Sequence, residues 1–237
     1  DRDYLPDQFI QEMPLGGLPF PCFNSDASIK VCEIGDRVVP LETVNNSISE
    51  TTPMVNISYK PSQDLMFYAT YSEGFKVGGY TQRIFPPEPS LPTFNPEYVK
   101  SYEIGAKSEL FDNTMRANLS LFISDYSDLQ LLIAEPSRVG PYTANAGEAT
   151  IEGFELEIAY LAPSEFVIDF ALGYTNAGYD SLTPGAITAG LSVDQPFVFI
   201  SDWNAQVSIA RSFSVSGGTV TPRLDWSWRT SFYTNAS

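Results

Sequence analysis

Two pairs of acidic side chains have the type and spacing to do chemistry: Glu155 with Glu157, and Glu103 with Glu109. Each pair falls on one face of an extended segment, and two such carboxylates are what a glycoside hydrolase uses as acid and base or nucleophile. A wet wall carrying several acids on one face accounts for both pairs without catalysis, and that reading is preferred. Asp125 with Asp128 could touch Ca²⁺, but two acids at a solvated rim need no ion to explain them. Gly74, Gly78 and Gly79 lack the strand, loop and helix context of a phosphate cradle and suit a bend at a strand end. The chain has no histidine, which removes Ser/His/Asp and Cys/His catalytic sets and histidine metal sites. These residues point to no enzyme, no metal centre and no cofactor.

The elements that position these acids are strands. Glu97 to Leu110 alternates Tyr102, Ile104, Ala106 and Leu110 with Ser101, Glu103, Lys107 and Glu109. That is a strand with one oily side. FDNT (111–114) supplies turn chemistry, and the chain returns with Ala117, Leu119, Leu121 and Ile123 against Asn118, Ser120 and Ser124. Further on, Phe154, Leu156, Ile158 and Tyr160 alternate with Gly153, Glu155, Glu157 and Ala159. The same period predicts antiparallel strands near 52–60, 65–75, 97–110, 115–130, 147–161, 165–178, 203–213 and 218–232, with sequential strands paired in one curved sheet. Pro222 is placed near the start of the last strand, where a missing donor is tolerated.

Composition narrows the class. The 43% hydrophobic content is spread in alternation and never forms an apolar run long enough for a transmembrane helix. A net charge of -16 with 13 basic residues argues against nucleic acid as a partner. Residues 1–51 are the least regular part. Cys22 and Cys32 lie there in a Pro/Gly/Asp-rich segment, as disulfide partners in an oxidising compartment or as two unrelated thiols. A bridge would restrict the unfolded chain by about 3 kcal/mol in the entropy model.

The connections alternate short and long. PSQD, FDNT, LAPS and SVSGG are turns, whereas 76–96, 130–149 and 176–202 are long and rich in Pro, Gly and aromatics. A soluble sandwich gives no reason for that asymmetry, but a transmembrane β-barrel has short periplasmic turns and long outer loops. On this reading Glu103, Lys107, Glu155, Glu157, Asp169, Arg223, Asp225 and Arg229 face a wet, concave lumen. Residues of the Phe154, Phe166, Phe170, Val207 and Leu224 parity face lipid on the convex side. Trp203, Trp226, Trp228, Tyr160 and Tyr174 share that parity and suit interfacial girdles. Charges on the oily parity (Glu73, Lys100, Asp125, Glu152 and Arg211) all fall near strand ends.

Four phrases, in order, carry a family resemblance: YATYSEGFKVGGY (68–80), NPEYVKSYEIGAKSELFDN (95–113), LFISDYSDLQ (121–130) and NAGEATIEGFELEIAY (145–160). They resemble the C-terminal half of the barrel of TonB-dependent outer-membrane receptors, over roughly Glu50 to Tyr233. The resemblance implies a wall of a plugged barrel of the 22-stranded class, monomeric when complete, in the outer membrane of a Gram-negative bacterium. It implies energised import of a scarce ligand, an iron–siderophore complex first and cobalamin or an oligosaccharide as alternatives. TonB would act through a plug domain and TonB box that this chain does not show, so the chain is expected to be an interior fragment: 1–51 an extracellular loop region, 52–237 part of the barrel. Loops carry specificity on a rigid scaffold, which singles out Tyr80, Arg83, Phe85, Phe94, Tyr142, Phe197 and Phe199 as ligand contacts. A passive porin shares the strand grammar and is the main rival; a soluble β-sandwich would need a dry core between two sheets.

Overall fold

A computed structural model describes residues 2–4, 22–23, 28–34, 36, 39, 44–81, 87–134 and 140–234. One antiparallel sheet of eight strands dominates. In chain order these are β1 (Met54–Ser62), β2 (Leu65–Lys76), β3 (Glu97–Leu110), β4 (Met115–Ser127), β5 (Gly147–Ala162), β6 (Phe166–Leu182), β7 (Trp203–Arg211) and β8 (Arg223–Arg229). Each pairs with its sequence neighbours, so the sheet is a plain meander. Among the described residues its outer strands, β1 and β8, each have a partner on one side only, leaving the sheet open.

The short turns use backbone that favours small or polar residues. Phe111, Asp112 and Asn113 all have positive φ (54°, 54° and 64°), and Thr114 Oγ1 closes the turn by donating to the Phe111 carbonyl at 2.7 Å. Ser164 and Glu165 (φ 78° and 64°) turn β5 into β6.

Cross-strand register carries one parity across the whole sheet. Phe154 stands opposite Leu121 and Tyr174, and Tyr174 opposite Trp203. Glu155 stands opposite Ser120 and Gly173, and Gly173 opposite Asn204. Glu103, Lys107, Glu155, Glu157, Asp169, Arg223, Asp225 and Arg229 therefore share one face. The other face is apolar and bare: Ile104 on an interior strand is 56% exposed and Leu121 45%. No second sheet packs there among the described residues, so the core of a soluble sandwich is missing. Along β5 the apolar parity runs from Phe154 to Ala162, roughly 26 Å at strand rise, or about 20 Å across a bilayer at barrel tilt.

Glycine lets two rings lie against the polar face. Tyr68 faces Gly105 across the ladder, where a Cβ would fall 2.4 Å from its ring. Phe122 faces Gly153, where a Cβ would sit 2.9 Å from Cζ and 2.0 Å from the Tyr174 carbonyl oxygen.

Three of the expected strands depart most from the alternation, the others shifting by two residues or fewer at any end. β4 ends at Ser127 rather than 130, because Asp128 takes a positive φ of 54° and bends the chain out of the sheet. β6 continues to Leu182, since Thr150 Oγ1 donates to Asp180 Oδ2 (2.7 Å) and Asn176 Nδ2 to Glu152 Oε1 (3.2 Å) across β5 and β6. The last strand is not continuous over 218–232. Pro222 has no N–H, and Gly218–Val220 pairs instead with Phe213–Val215 as a separate hairpin, although the Pro222 carbonyl still accepts from Arg211 N at 3.2 Å.

In the N-terminal segment a disulfide joins Cys22 to Cys32, with Cα atoms 5.0 Å apart. Close by, Asp36 accepts from Lys30 Nζ and, at 2.6 Å, from the Glu33 N–H. The Lys30 hydrogen bond is the main cause holding the Asp36 carboxyl below its ordinary 3.8.

Candidate functional site

Apart from Cys22, Cys32 and Val39 in the N-terminal segment and Ser208 within β7, the buried side chains belong to the long connections and the strand ends next to them. Ile133, Ala146 and Ala186 form a small core, with Leu131, Tyr142, Ala144, Leu182, Ala189 and Leu191 packed on it. Its parts come from two connections. Gln130–Ile133 pairs with Tyr142–Asn145 as a hairpin, and helix α1 (Pro184–Thr188) packs on that hairpin, its first turn capped by Thr183 Oγ1. A third piece, Gly79–Tyr80 paired with Thr93–Phe94, stands next to the hairpin.

Between the two hairpins lies a cavity of about 460 Å³ lined by Tyr80, Thr81, Phe94, Leu132, Pro141, Tyr142 and Thr143. Its chemistry is uncharged: aromatic faces, aliphatic surface and hydroxyls. Thr81 is 4% exposed, and its Oγ1 has no hydrogen-bond partner among the described residues. A buried hydroxyl left unpaired costs free energy.

Of the residues singled out from the sequence, Tyr80, Phe94 and Tyr142 meet in this cavity. Phe197 does not join them. It stacks on Tyr179, ring centroids 4.3 Å apart. Phe199 is also elsewhere, tied through its N–H to the Tyr233 carbonyl (2.8 Å) and set 6.3 Å from the Phe232 ring. Arg83 and Phe85 lie outside the described residues. Thr81, Leu132, Pro141 and Thr143 were not anticipated. A lone Thr in a loop carries no sequence signal, and only its burial without a partner draws attention to it.

On the polar face most of the acids hold a hydrogen bond or an ion pair. Tyr68 donates to Glu103 Oε1 at 2.6 Å, and Lys107 Nζ lies 5.7 Å from the Tyr68 ring centroid. Ser208 donates to Asp169 Oδ2 (3.1 Å), Asn118 to Glu157 Oε2 (3.4 Å), and Arg223 Nε to Asp225 Oδ1 (2.8 Å). Glu155 and Glu157 sit on the same strand and face, in register with Ser120 and Asn118 of β4 and with Gly173 and Ala171 of β6. Among the described residues no group of three or more Cys, Asp or Glu could hold a metal ion.

The model for "TonB dependent receptor-like, beta-barrel" matches residues 33–237. The chain belongs to that family. The metal-pseudopaline receptor CntO of Pseudomonas aeruginosa is 29% identical over 126 residues, which is 53% of this chain and 16% of that protein. The ferric yersiniabactin uptake receptor FyuA of Yersinia pestis superposes with a TM-score of 0.60 at 22% identity, covering 77% of this chain and 26% of FyuA. The ferric preacinetobactin receptor BauA of Acinetobacter baumannii gives 0.59 at 21% identity, covering 82% of this chain and 28% of BauA. The chain thus covers less than a third of each of these relatives. The likeness to FyuA and BauA is one of fold: the meander is a section of a TonB-dependent receptor barrel, a family of transporters and receptors rather than enzymes.

Proposed function

We propose that this chain forms part of the wall and outer loops of an outer-membrane receptor that imports a scarce ligand, an iron–siderophore complex in the first instance, by TonB-coupled transport. The observation that carries the reading is the cavity at the long-loop end, lined by Tyr80, Thr81, Phe94 and Tyr142. It stands on a sheet whose apolar face, about 20 Å tall, approaches the height of the lipid band of a barrel. The apolar face then meets lipid and the polar face the lumen. Residues 52–237 are barrel, 1–51 lie on the extracellular side, and the plug and TonB box come from the rest of the receptor. The relatives named for ferric or metal complexes support an iron-chelate cargo.

The test is uptake by the whole receptor in iron-starved Gram-negative cells that lack other such receptors. Cells are offered radioactive iron as ferric hydroxamate, catecholate and mixed-donor chelates, with and without a protonophore. Accumulation of at least one chelate, abolished by the protonophore, is expected. Accumulation indifferent to the protonophore would make the protein a passive porin. Energised uptake of cobalamin or an oligosaccharide, with none of any ferric chelate, would replace the cargo and leave the transport reading in place.

A further inference from the structure

Gln130 and Asn145 face each other at the base of the second loop hairpin, as its first register pair. Neither spends its side-chain amide on its own hairpin strands. Gln130 Nε2 donates to the carbonyls of Val77 and Asn95, each at 3.0 Å, and Gln130 N donates to Glu97 Oε2 at 2.6 Å. Asn145 Oδ1 accepts from Asn95 N at 2.7 Å while its Nδ2 donates to the Asn95 carbonyl at 3.0 Å and the Asp128 carbonyl at 2.8 Å. Val77 and Asn95 are the two legs of the first hairpin, just outside Gly79–Tyr80 and Thr93–Phe94. Both legs of one hairpin are thus gripped by the base pair of the other, and the backbone of Asn95 is held at both its N–H and its C=O.

We propose that Gln130 and Asn145 are positioning residues that clamp the two hairpins into one body and so set the spacing of the cavity walls between them. Chemistry supports the assignment. Gln130 is 8% exposed, so its amide must find its partners inside the protein. The first hairpin supplies Tyr80, Thr81 and Phe94 to the cavity, and the second supplies Leu132, Tyr142 and Thr143. The hairpins are short, and short isolated hairpins are marginal in water, so a fixed distance between them needs a fastening at the base. Each clamp bond from a side-chain NH₂ ends on a carbonyl oxygen. A carboxylate of the same shape would lose those donors and set negative charge against two carbonyls. The clamp requires no ligand; only the description of the cavity as a ligand site rests on the proposed transport function.

The experiment uses the whole receptor, purified in detergent, with spin labels on Ser90→Cys and Ala134→Cys, exposed positions on the two hairpins, and the native disulfide left oxidised. Pulsed electron spin resonance reads the distance between them without ligand. A single narrow distribution is expected for the parent, and Gln130→Glu and Asn145→Asp should each widen it at least twofold. Asp194→Asn, an isosteric change in the third connection, should leave it narrow. The heat-modifiable band shift of a closed barrel checks that each variant is folded. Should one carboxylate variant fail that check, the other decides, with Gln130→Met as its uncharged counterpart. Narrow distributions in folded carboxylate variants, even with a lowered melting temperature, would show that the amides serve stability alone and overturn the proposal. Because no transport is measured, the outcome is independent of the cargo.

Discussion

Lys100 of β3 stands directly opposite Asp125 of β4, on the face of the sheet that is otherwise apolar, and Glu73 of β2 stands opposite Lys100. Three neighbouring strands thus exchange carbon for charge in one cross-strand row. On β5 the change comes at Glu152, across the ladder from Ile123. Below it Phe154, Leu156, Ile158, Tyr160 and Ala162 occupy that parity. This row is the upper edge of the band assigned to lipid.

The edge makes the cost of a charge depend on depth. Leu156→Lys, near the middle of the band, is expected to destabilise the folded receptor by about 2 to 4 kcal/mol, whereas Thr150→Lys, opposite Asp125 in the charged row, should cost less than about 1 kcal/mol. Reversible urea unfolding in phospholipid vesicles measures both. Equal costs at the two positions would remove lipid from that face.

Sidedness follows from the register. With single cysteines in intact outer membranes, a small charged maleimide should label position 155 and spare position 154. The opposite pattern would mean a one-residue register error, which inverts every side-chain assignment in the sheet.

Thr81 offers a prediction with two signs. Thr81→Val keeps the shape and removes the unpaired hydroxyl, so thermal stability should hold or rise, by about 1 kcal/mol. If the hydroxyl serves a ligand, affinity for the imported chelate should fall roughly tenfold at the same time. Stability and affinity falling together would mean that the hydroxyl has a structural partner instead.

The Lys30–Asp36 pair gives a pH dependence. Because the Asp36 carboxyl is held below its ordinary 3.8, the pair contributes stability that is fully present above that value and is lost as pH falls through the lower, folded value. Hydrogen exchange at the Glu33 amide, which donates to Asp36, should therefore stay protected at pH 5 and open below 3.8. In Lys30→Met the opening should move upward, toward 3.8.

The wall was legible in the sequence because its signal is long. Runs such as Tyr102–Ile104–Ala106 and Phe154–Leu156–Ile158 keep period two over many residues, and FDNT or LAPS punctuates them with turn formers. The loop end was legible only in part. Tyr80, Phe94 and Tyr142 stood out as large aromatics, but the hairpins that bring them together have strands of two to four residues, too short for a period to show. Gln130 and Asn145 were invisible for another reason. Their bonds run to backbone atoms of Val77, Asn95 and Asp128, and backbone leaves no trace in residue type.

Tyr68 over Gly105 and Phe122 over Gly153 bear on how the strands find each other. A slip of one residue turns oil to water and is rejected at once, but a slip of two keeps every side chain on its proper face, and alternation is blind to it. A ring that rests on bare backbone is not blind. Moved two places along β3, Tyr68 would meet Glu103 or Lys107 in place of Gly105 and lose its bed. The glycines thus act as a proofreading mark, recording in shape the one alignment that hydrophobicity cannot tell from its neighbours.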